Sequence, residues 1–551
     1  MLTTEGGNKH GKITLRIYKH SNQPTPQNQP IAGREEEMSE NLAGGYGFKT
    51  SDWTALRRWL LTGSMFDAYY QGKDQMTKKN VEVLERVMKE DATKVASEIL
   101  DASKKGVSFH TPIYALTVLS TGDKSAKNAF REAFPQVIRN GSQLYEFLNY
   151  TRGLRGFGTL IHKTIKDWFA GKDAKELEYQ FLKYQSRYDW SGRDVLRMIK
   201  PIPQDDTVKA VFNWIVGGTK KNPLFTEWPK TLERIRTYEF FKSGKASESD
   251  VIDAIGKYRM TWEMMPGNLT QTPKVWEALF HNMPVGATIR NLGNLTDKGV
   301  FKKSENLDIL EQRFSKDNLK KAYVHPVVFA SALMIYEAGG SMGRSKLTWD
   351  PVSRVMDAME SGIDACFDSV EPTGKHIFFA LDVSSSMTGG SVATLWMTPL
   401  QVQGVMALAS VRTEKNYFVG GFNEDFQVLS RFTKNLSYAR AVDYHNGPWP
   451  GNFGGTDANA AYRYAIKNQI HTDIFVFMTD GESWSGFQHP AEGLKEYRSR
   501  INRNVKAIYI TLVPYGDKIT LADPKDKHSY DIAGFTGQTP KLINLIIKEE
   551  I

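Results

Sequence analysis

HIFFALDVSSSM, residues 376–387, decides the fold. Six residues rich in large apolar groups end on Asp382, and three serines follow after a single valine. A short apolar run that stops on a carboxylate and a string of hydroxyls reads as a buried strand whose carboxyl end opens into a polar loop. Outward from it the same grammar repeats. Strand-like runs NYFVGGFN (416–423), DIFVFMTD (473–480) and VKAIYITLV (505–513) alternate with helical runs TPLQVQGVMALASVR (398–412), TDANAAYRYAIKN (456–468), PAEGLKEYRSRI (490–501) and TPKLINLIIKEE (539–550). That alternation predicts a doubly wound α/β unit with a parallel sheet, in which ligands bind outside the carboxyl ends of the strands.

Those ends carry oxygen ligands. Asp382, Ser384 and Ser386 sit on alternate residues after the first strand, Thr456 follows Gly454 and Gly455 and opens a helix, and Asp480 ends the third apolar run in Met478-Thr479-Asp480-Gly481. Two carboxylates and three neutral hydroxyls suit Mg²⁺ or another hard divalent cation, which takes oxygen donors and keeps some water. With so few negative ligands the ion would stay electrophilic toward an outside carboxylate or phosphate oxygen. The order strand, DxSxS, glycine–Thr–helix, strand, TDG resembles the metal-ion-dependent adhesion site (MIDAS) of von Willebrand factor A domains, over residues 373–551.

Upstream the pattern differs. From Trp53 to about Val370, runs such as NVEVLERVMK, ATKVASEILDASKK, SAKNAFREAF and PVVFASALMIYEA follow one another with Gly, Asn or Pro between them. Many helices of 10 to 15 residues on short turns predict stacked helix pairs, a HEAT-like solenoid or ring, with an irregular solenoid and a compact bundle both open at this point. The polar, Pro/Gln/Asn-rich start predicts a flexible tail. The expected organisation is therefore a tail over 1–40, a helical-repeat domain over 41–370 and a von Willebrand factor A-like domain over 371–551, an α plus α/β protein.

Composition narrows the class. At 551 residues, 40% hydrophobic and 24% charged, the chain is neither collagenous nor largely disordered, and no apolar run reaches the roughly 18 residues of a membrane span. A soluble protein that is not exported is expected, and a monomer if the α/β domain closes the ends of the solenoid. The one cysteine, Cys366, lies in a helical run and reads as a buried structural thiol. Residues 371–551 hold 18 basic and 18 acidic side chains, so the net +9 belongs wholly to residues 1–370, with 53 against 44. Residues 151–200 concentrate it, with 11 Lys and Arg against 6 Asp and Glu among Phe157, His162, Trp168, Tyr184 and Trp190. Basic groups neutralise phosphates and aromatic faces stack unpaired bases. Trp168 and Trp190 at helical spacing read as core; Lys163, Lys183, Arg187, Arg193 and Arg290 are the RNA-binding candidates, with solvated surface or a structural ion pair as their plainer reading.

Asn41-Leu-Ala-Gly-Gly-Tyr46, LRRWLLTGS, Lys183-Tyr-Gln-Ser-Arg187, WSGRDVLRMIKP, VWEALFHNMP with ATIRNLGN, HPVVFASALMIYEAG, VRTEKNYFV, GGTD, LADP and DIAGF together resemble the Ro autoantigen family. The resemblance implies an RNA-binding TROVE domain joined to a von Willebrand factor A domain. It further implies a cytoplasmic RNA-chaperone role: binding noncoding Y RNA, admitting single-stranded 3′ ends of misfolded RNA, and cooperating in bacteria with an exoribonuclease such as polynucleotide phosphorylase. Where many relatives read Trp-Ser-His and a basic residue, this chain has Trp190-Ser191-Gly192-Arg193. Generic RNA binding survives that change, and recognition of a conventional Y RNA stem becomes doubtful. The competing class is a metal-dependent protein-interaction scaffold. A hydrolase is disfavoured because no histidine stands beside Asp382 or Asp480 to act as general base, and His471 belongs to the opposite end of its strand.

Overall fold

The computed structural model describes residues 23–63, 68, 71, 73–106, 108–218, 231–340, 347–367, 372–390, 397–450, 454–515 and 518–548. Eleven strands occur among them: β1 (Met38–Glu40), β2 (Tyr46–Lys49), β3 (Ser186–Arg187), β4 (Trp190–Ser191), β5 (His376–Asp382), β6 (Asn416–Phe422), β7 (Phe426–Val428), β8 (Ile474–Thr479), β9 (Lys506–Thr511), β10 (Ile519–Thr520) and β11 (Ser529–Ala533).

The main sheet runs β11-β9-β8-β5-β6-β7, parallel throughout except for the edge strand β7. Side chains alternate across a strand, and β5 shows the consequence. Ile377, Phe379 and Leu381 join the core that continues into the helical region, while Phe378 and Ala380 face a second core with Tyr462, Phe475 and Tyr497. The chain leaves β5 for β6 on one side and returns to β8 on the other. The switch point therefore lies at the carboxyl ends of β5 and β8, where Asp382 and Asp480 stand.

Before the sheet come short helices, many opened by a side chain that accepts from the first-turn amides, as Asp91, Asp123, Asn140 and Asp173 do. They stack in two layers: Ala92–Lys105 packs on Lys124–Val137 and that on Thr159–Ala170, while Thr111–Leu119 packs on Gly141–Leu154. Earlier and later helices also approach one another, the Arg139 guanidinium lying 5.7 Å from the Tyr323 ring. Both ends also meet the α/β domain. Arg58 of the helix Asp52–Thr62 pairs with Asp531 of β11 at 3.2 Å, and Asp364 of the helix Ser353–Cys366 holds Arg412 at 2.5 Å. No helix among the described residues is long and apolar enough to cross a membrane. Cys366 is half-buried against the core, and burial pushes its thiol up to about 12.

The N-terminal segment departs from expectation. Residues 1–22 of the expected tail lie outside the described residues, but from residue 23 on the segment is bound to the α/β domain. Thr25 donates its amide to Glu492 at 2.8 Å, and Arg34 forks onto Asp523 at 2.5 and 2.7 Å. β1 pairs with β2, and β2 pairs with β10, so residues 38–49 belong in space to residues 519–520. A polar strand finds its hydrogen bonds wherever an edge is open, and that edge lies some 470 residues away. The boundary at residue 41 is thus one of sequence, not of structure.

Candidate functional site

Asp382 ends β5 fully buried, with Ser384, Ser386, Thr456 and Asp480 each 2% exposed or less. Hydrogen bonds fix the first loop: Ser384 donates its amide to Asp382 Oδ1 at 2.9 Å, Thr479 donates its hydroxyl to Oδ2 at 2.6 Å, and the Ser384 and Ser386 hydroxyls lie 3.0 Å apart. The amide of Glu482 donates to Asp480 Oδ1 at 3.1 Å, and the amide of Ser385 donates to the Gly454 carbonyl at 3.1 Å. The three loops named from the sequence are therefore brought together. Asn452 and Phe453, at the start of the glycine loop, lie outside the described residues.

The electrostatics are uncompensated. Burial raises both carboxyls above the usual aspartate range, and the charge of Asp480 raises Asp382 further. No basic side chain among the described residues forms an ion pair with either. Thr456 is locked by its carbonyl, which accepts from the amides of Trp484 and Ser485 at 3.0 Å, yet its buried hydroxyl has no partner. Two crowded anions and an orphaned hydroxyl fit a hard cation bound among oxygen atoms. There is no cluster of three His, Cys, Asp or Glu among the described residues, so hydroxyls would have to complete any shell.

A second layer was not foreseen. The Asn41–Tyr46 turn lies against the loop that follows Asp480: the Asn41 amide nitrogen donates to the Ser483 carbonyl at 2.8 Å, and the Ala43 amide to Glu482 at 3.2 Å. A Cβ on Gly45 would stand 1.9 Å from the Ser483 carbonyl oxygen and 2.6 Å from Trp484 Cα. The only signal available was the paired glycines of the motif, whose partner lies more than 400 residues on.

The five basic candidates fall in different settings. Lys163 is exposed on the helix Thr159–Ala170, and Arg193 is exposed at the start of Gly192–Ile199, which contacts it. Arg187 is exposed on β3 of a two-strand hairpin that leads into that second helix. Tyr188 and Asp189, both left-handed at φ 53° and 61°, make its two-residue turn. Arg193 also borders a cavity of about 560 Å³ with Gln185, Trp214 and Lys242. Lys183 is partly buried, its ammonium 3.1 Å from the Tyr179 hydroxyl and over the Tyr179 and Tyr184 rings, which ties it into the structure. Arg290 is exposed on the rim of a different cavity of about 760 Å³, with Phe109 and Tyr323.

The tryptophans also differ. Trp168 is core, its indole donating to the Ile138 carbonyl at 2.7 Å, whereas Trp190 is half-buried edge-on to Phe157 with Arg152 5.8 Å from its ring. At Gly192 a Cβ would lie 2.3 Å from the Phe181 ring. Here an aromatic ring fills the space a side chain would need.

Comparison with known proteins agrees with both halves of the chain. The family model for the TROVE domain matches residues 39–253 and 221–338, and that for the Ro60 vWA domain matches residues 376–547. The RNA-binding protein RO60 of Deinococcus radiodurans is 29% identical over 542 residues, spanning 96% of this chain and 98% of its own. The RNA-binding protein RO60 of Caenorhabditis elegans is 26% identical over 589 residues, spanning 93% and 90%. The crystal structure of the Deinococcus radiodurans RO (RSR) protein superposes with a TM-score of 0.63 at 27% identity, over 91% of this chain and all of that one.

Proposed function

The chain belongs to the Ro family of TROVE-domain proteins, and on that premise we propose that it binds RNA as a quality-control chaperone. Its ligands are small noncoding RNA and the single-stranded 3′ ends of misfolded RNA, with an exoribonuclease such as polynucleotide phosphorylase as a protein partner. The observation that carries the reading is Lys163, Arg187 and Arg193 exposed on neighbouring elements of the helical region, to which the whole positive excess belongs. Long cations on an ordered face neutralise phosphates without reading sequence. The filled space at Gly192 argues against the Y RNA contact that a histidine there would make.

The test is fluorescence anisotropy with a blunt stem and with the same stem carrying a ~10-nucleotide 3′ tail, across a salt series, with and without EDTA. Tail-dependent, salt-steep and EDTA-insensitive binding is expected. In a Lys163→Glu, Arg187→Glu protein the log–log salt slope should fall by about 1.4, two single-strand phosphates at ~0.7 each. An unchanged slope would remove these residues from the interface.

The oxygen cluster supports a second role beside the first. Asp382, Ser384, Ser386, Thr456 and Asp480 would hold Mg²⁺, which when bound offers an electrophilic position to an outside carboxylate or phosphate oxygen. The protein residues fix the donors, and no histidine among the described residues hydrogen-bonds Asp382 or Asp480, so the reading proposed for the site is binding. As an interaction surface it would grip an acidic group on a partner protein. The Gly45 contact makes this testable without touching a ligand. Gly45→Ala should displace the 481–485 loop and weaken Mg²⁺ binding by about 10- to 100-fold, as loss of outer support does, measured by calorimetric titration. Wild-type Mg²⁺ affinity in that variant would mean that the N-terminal turn does not position the loop.

A further inference from the structure

From a cavity between two helices, we infer that the protein holds one unpaired guanine base of its bound RNA beside Lys163; this rests on the RNA-binding reading and adds base preference to it. The cavity, about 370 Å³, opens between the helices Lys124–Val137 and Thr159–Ala170 and is bordered by Asn128, Arg131, Glu132, Pro135, Thr164 and Asp167. Phe134 and Trp168 supply its apolar floor.

Unused hydrogen-bonding groups lie buried behind its wall. Thr164 is 3% exposed and its hydroxyl has no partner. Helical threonines normally return that bond to the preceding turn, as Thr62, Thr117 and Thr151 do in this chain at 2.7 to 2.9 Å. Arg131 Nε is likewise buried and unpartnered. Pro135 stands inside its helix and has no N–H, so the Arg131 carbonyl lacks its helical donor. Arg131 Nη2 is held by Asp167 Oδ2 at 3.2 Å, which orients the guanidinium and leaves Oδ1 of that carboxylate without the pair.

The wall thus combines an arginine with two carboxylates over an apolar floor. A phosphate is disfavoured by Glu132 and Asp167. A planar heterocycle with acceptors on one edge and two adjacent N–H donors on another fits: guanine offers O6 and N7 to an arginine and N1–H with the 2-amino group to a carboxylate. Adenine, cytosine and uracil lack that paired donor edge. Single-stranded RNA presents such edges because its bases can be splayed out. Lys163 precedes Thr164 on the same helix, placing a phosphate contact next to the cavity.

The test uses the full-length protein and a stem with a 3′ tail of uridines, against the same RNA with one tail position changed to guanosine, inosine or adenosine. The guanosine tail is expected to bind about tenfold tighter than the uridine tail, inosine to lose most of that gain, and adenosine to show none. Asp167→Asn and, independently, Arg131→Gln should bring the ratio of guanosine to uridine affinity close to one. Equal affinities in the unaltered protein, or a preference that persists in both variants, would overturn the guanine site while leaving RNA binding intact. No binding of any tail at low salt would overturn the RNA reading and this inference with it.

Discussion

In EDTA, an Asp382→Asn protein should unfold at a denaturant concentration no lower than the unaltered chain, and on adding Mg²⁺ only the unaltered chain should gain stability. The first half follows from burial: Asp382 and Asp480 are both out of solvent, and the charge of one raises the other. Asparagine keeps the shape, its oxygen accepting from the Ser384 amide and its nitrogen donating to the Thr479 hydroxyl oxygen, while removing the repulsion. The second half follows from linkage, since a ligand that binds only the folded state adds RT ln(1 + [L]/Kd), about 2.7 kcal/mol at one hundred times Kd. The variant loses the central ligand and should gain nothing. RNA affinity of the variant should match that of the unaltered protein, because the cations assigned to RNA lie in the helical region. A chain whose denaturation midpoint ignores Mg²⁺ would sink the cation site itself.

The second large effect is acid sensitivity at two joints. His325 and His489 each precede a proline at a helix start, each accepts at Nδ1 from the amide two residues on at 3.2 Å, and each donates from Nε2 to a distant carbonyl: Phe535 at 3.2 Å and Tyr46 at 3.1 Å. Both imidazoles are buried and burial pushes both down to about 4. A lowered folded pKa means that the unfolded chain, near 6.5, binds the proton more readily. Stability is then complete above pH 6.5 and declines as pH falls toward 4, by about 3 kcal/mol per histidine. His110 works in the opposite direction, because the Glu146 carboxylate raises it and its contribution fades as pH rises through its folded value. Urea titrations between pH 7.5 and 4.5 should show the decline, and a His325→Asn, His489→Asn protein should show a shallower one. Parallel pH curves for the two proteins would exclude these histidines as its cause.

The α/β half was largely legible because its physics is local. The unbroken apolar run in HIFFALD, buried on both faces of a parallel sheet, glycine-bounded helices and hydroxyls after strand ends all report on their own neighbours. The helical stack was legible for the same reason, through helical runs separated by Gly, Asn or Pro turns. What was missed had two causes, distant partners and local contacts that no spacing rule marks. The segment from residue 23 to 40 looked unable to bury itself, yet Glu492 and Asp523 were waiting for it. For Lys183, an RNA-contact candidate, the sequence did not show that its ammonium lies over the rings of Tyr179 and Tyr184. The 186–191 hairpin sat unmarked in a basic run, since its turn uses Tyr188 and Asp189 where glycine or asparagine would have announced it.

The sequence by itself determined the helical runs of the first region, the strands and helices of the parallel sheet, the order of the two folds and the oxygen donors at the carboxyl ends of β5 and β8. The tertiary structure alone decided that the first and last helices both meet the α/β domain, that the N-terminal turn supports the loop after Asp480, and that Arg131 and Thr164 share a cavity. The division has a physical cause. Propensity, capping and amphipathic period act over a few residues and leave their mark in the letters, whereas pairing across hundreds of residues is selected by shape and by unsatisfied hydrogen bonds that exist only once the chain has folded.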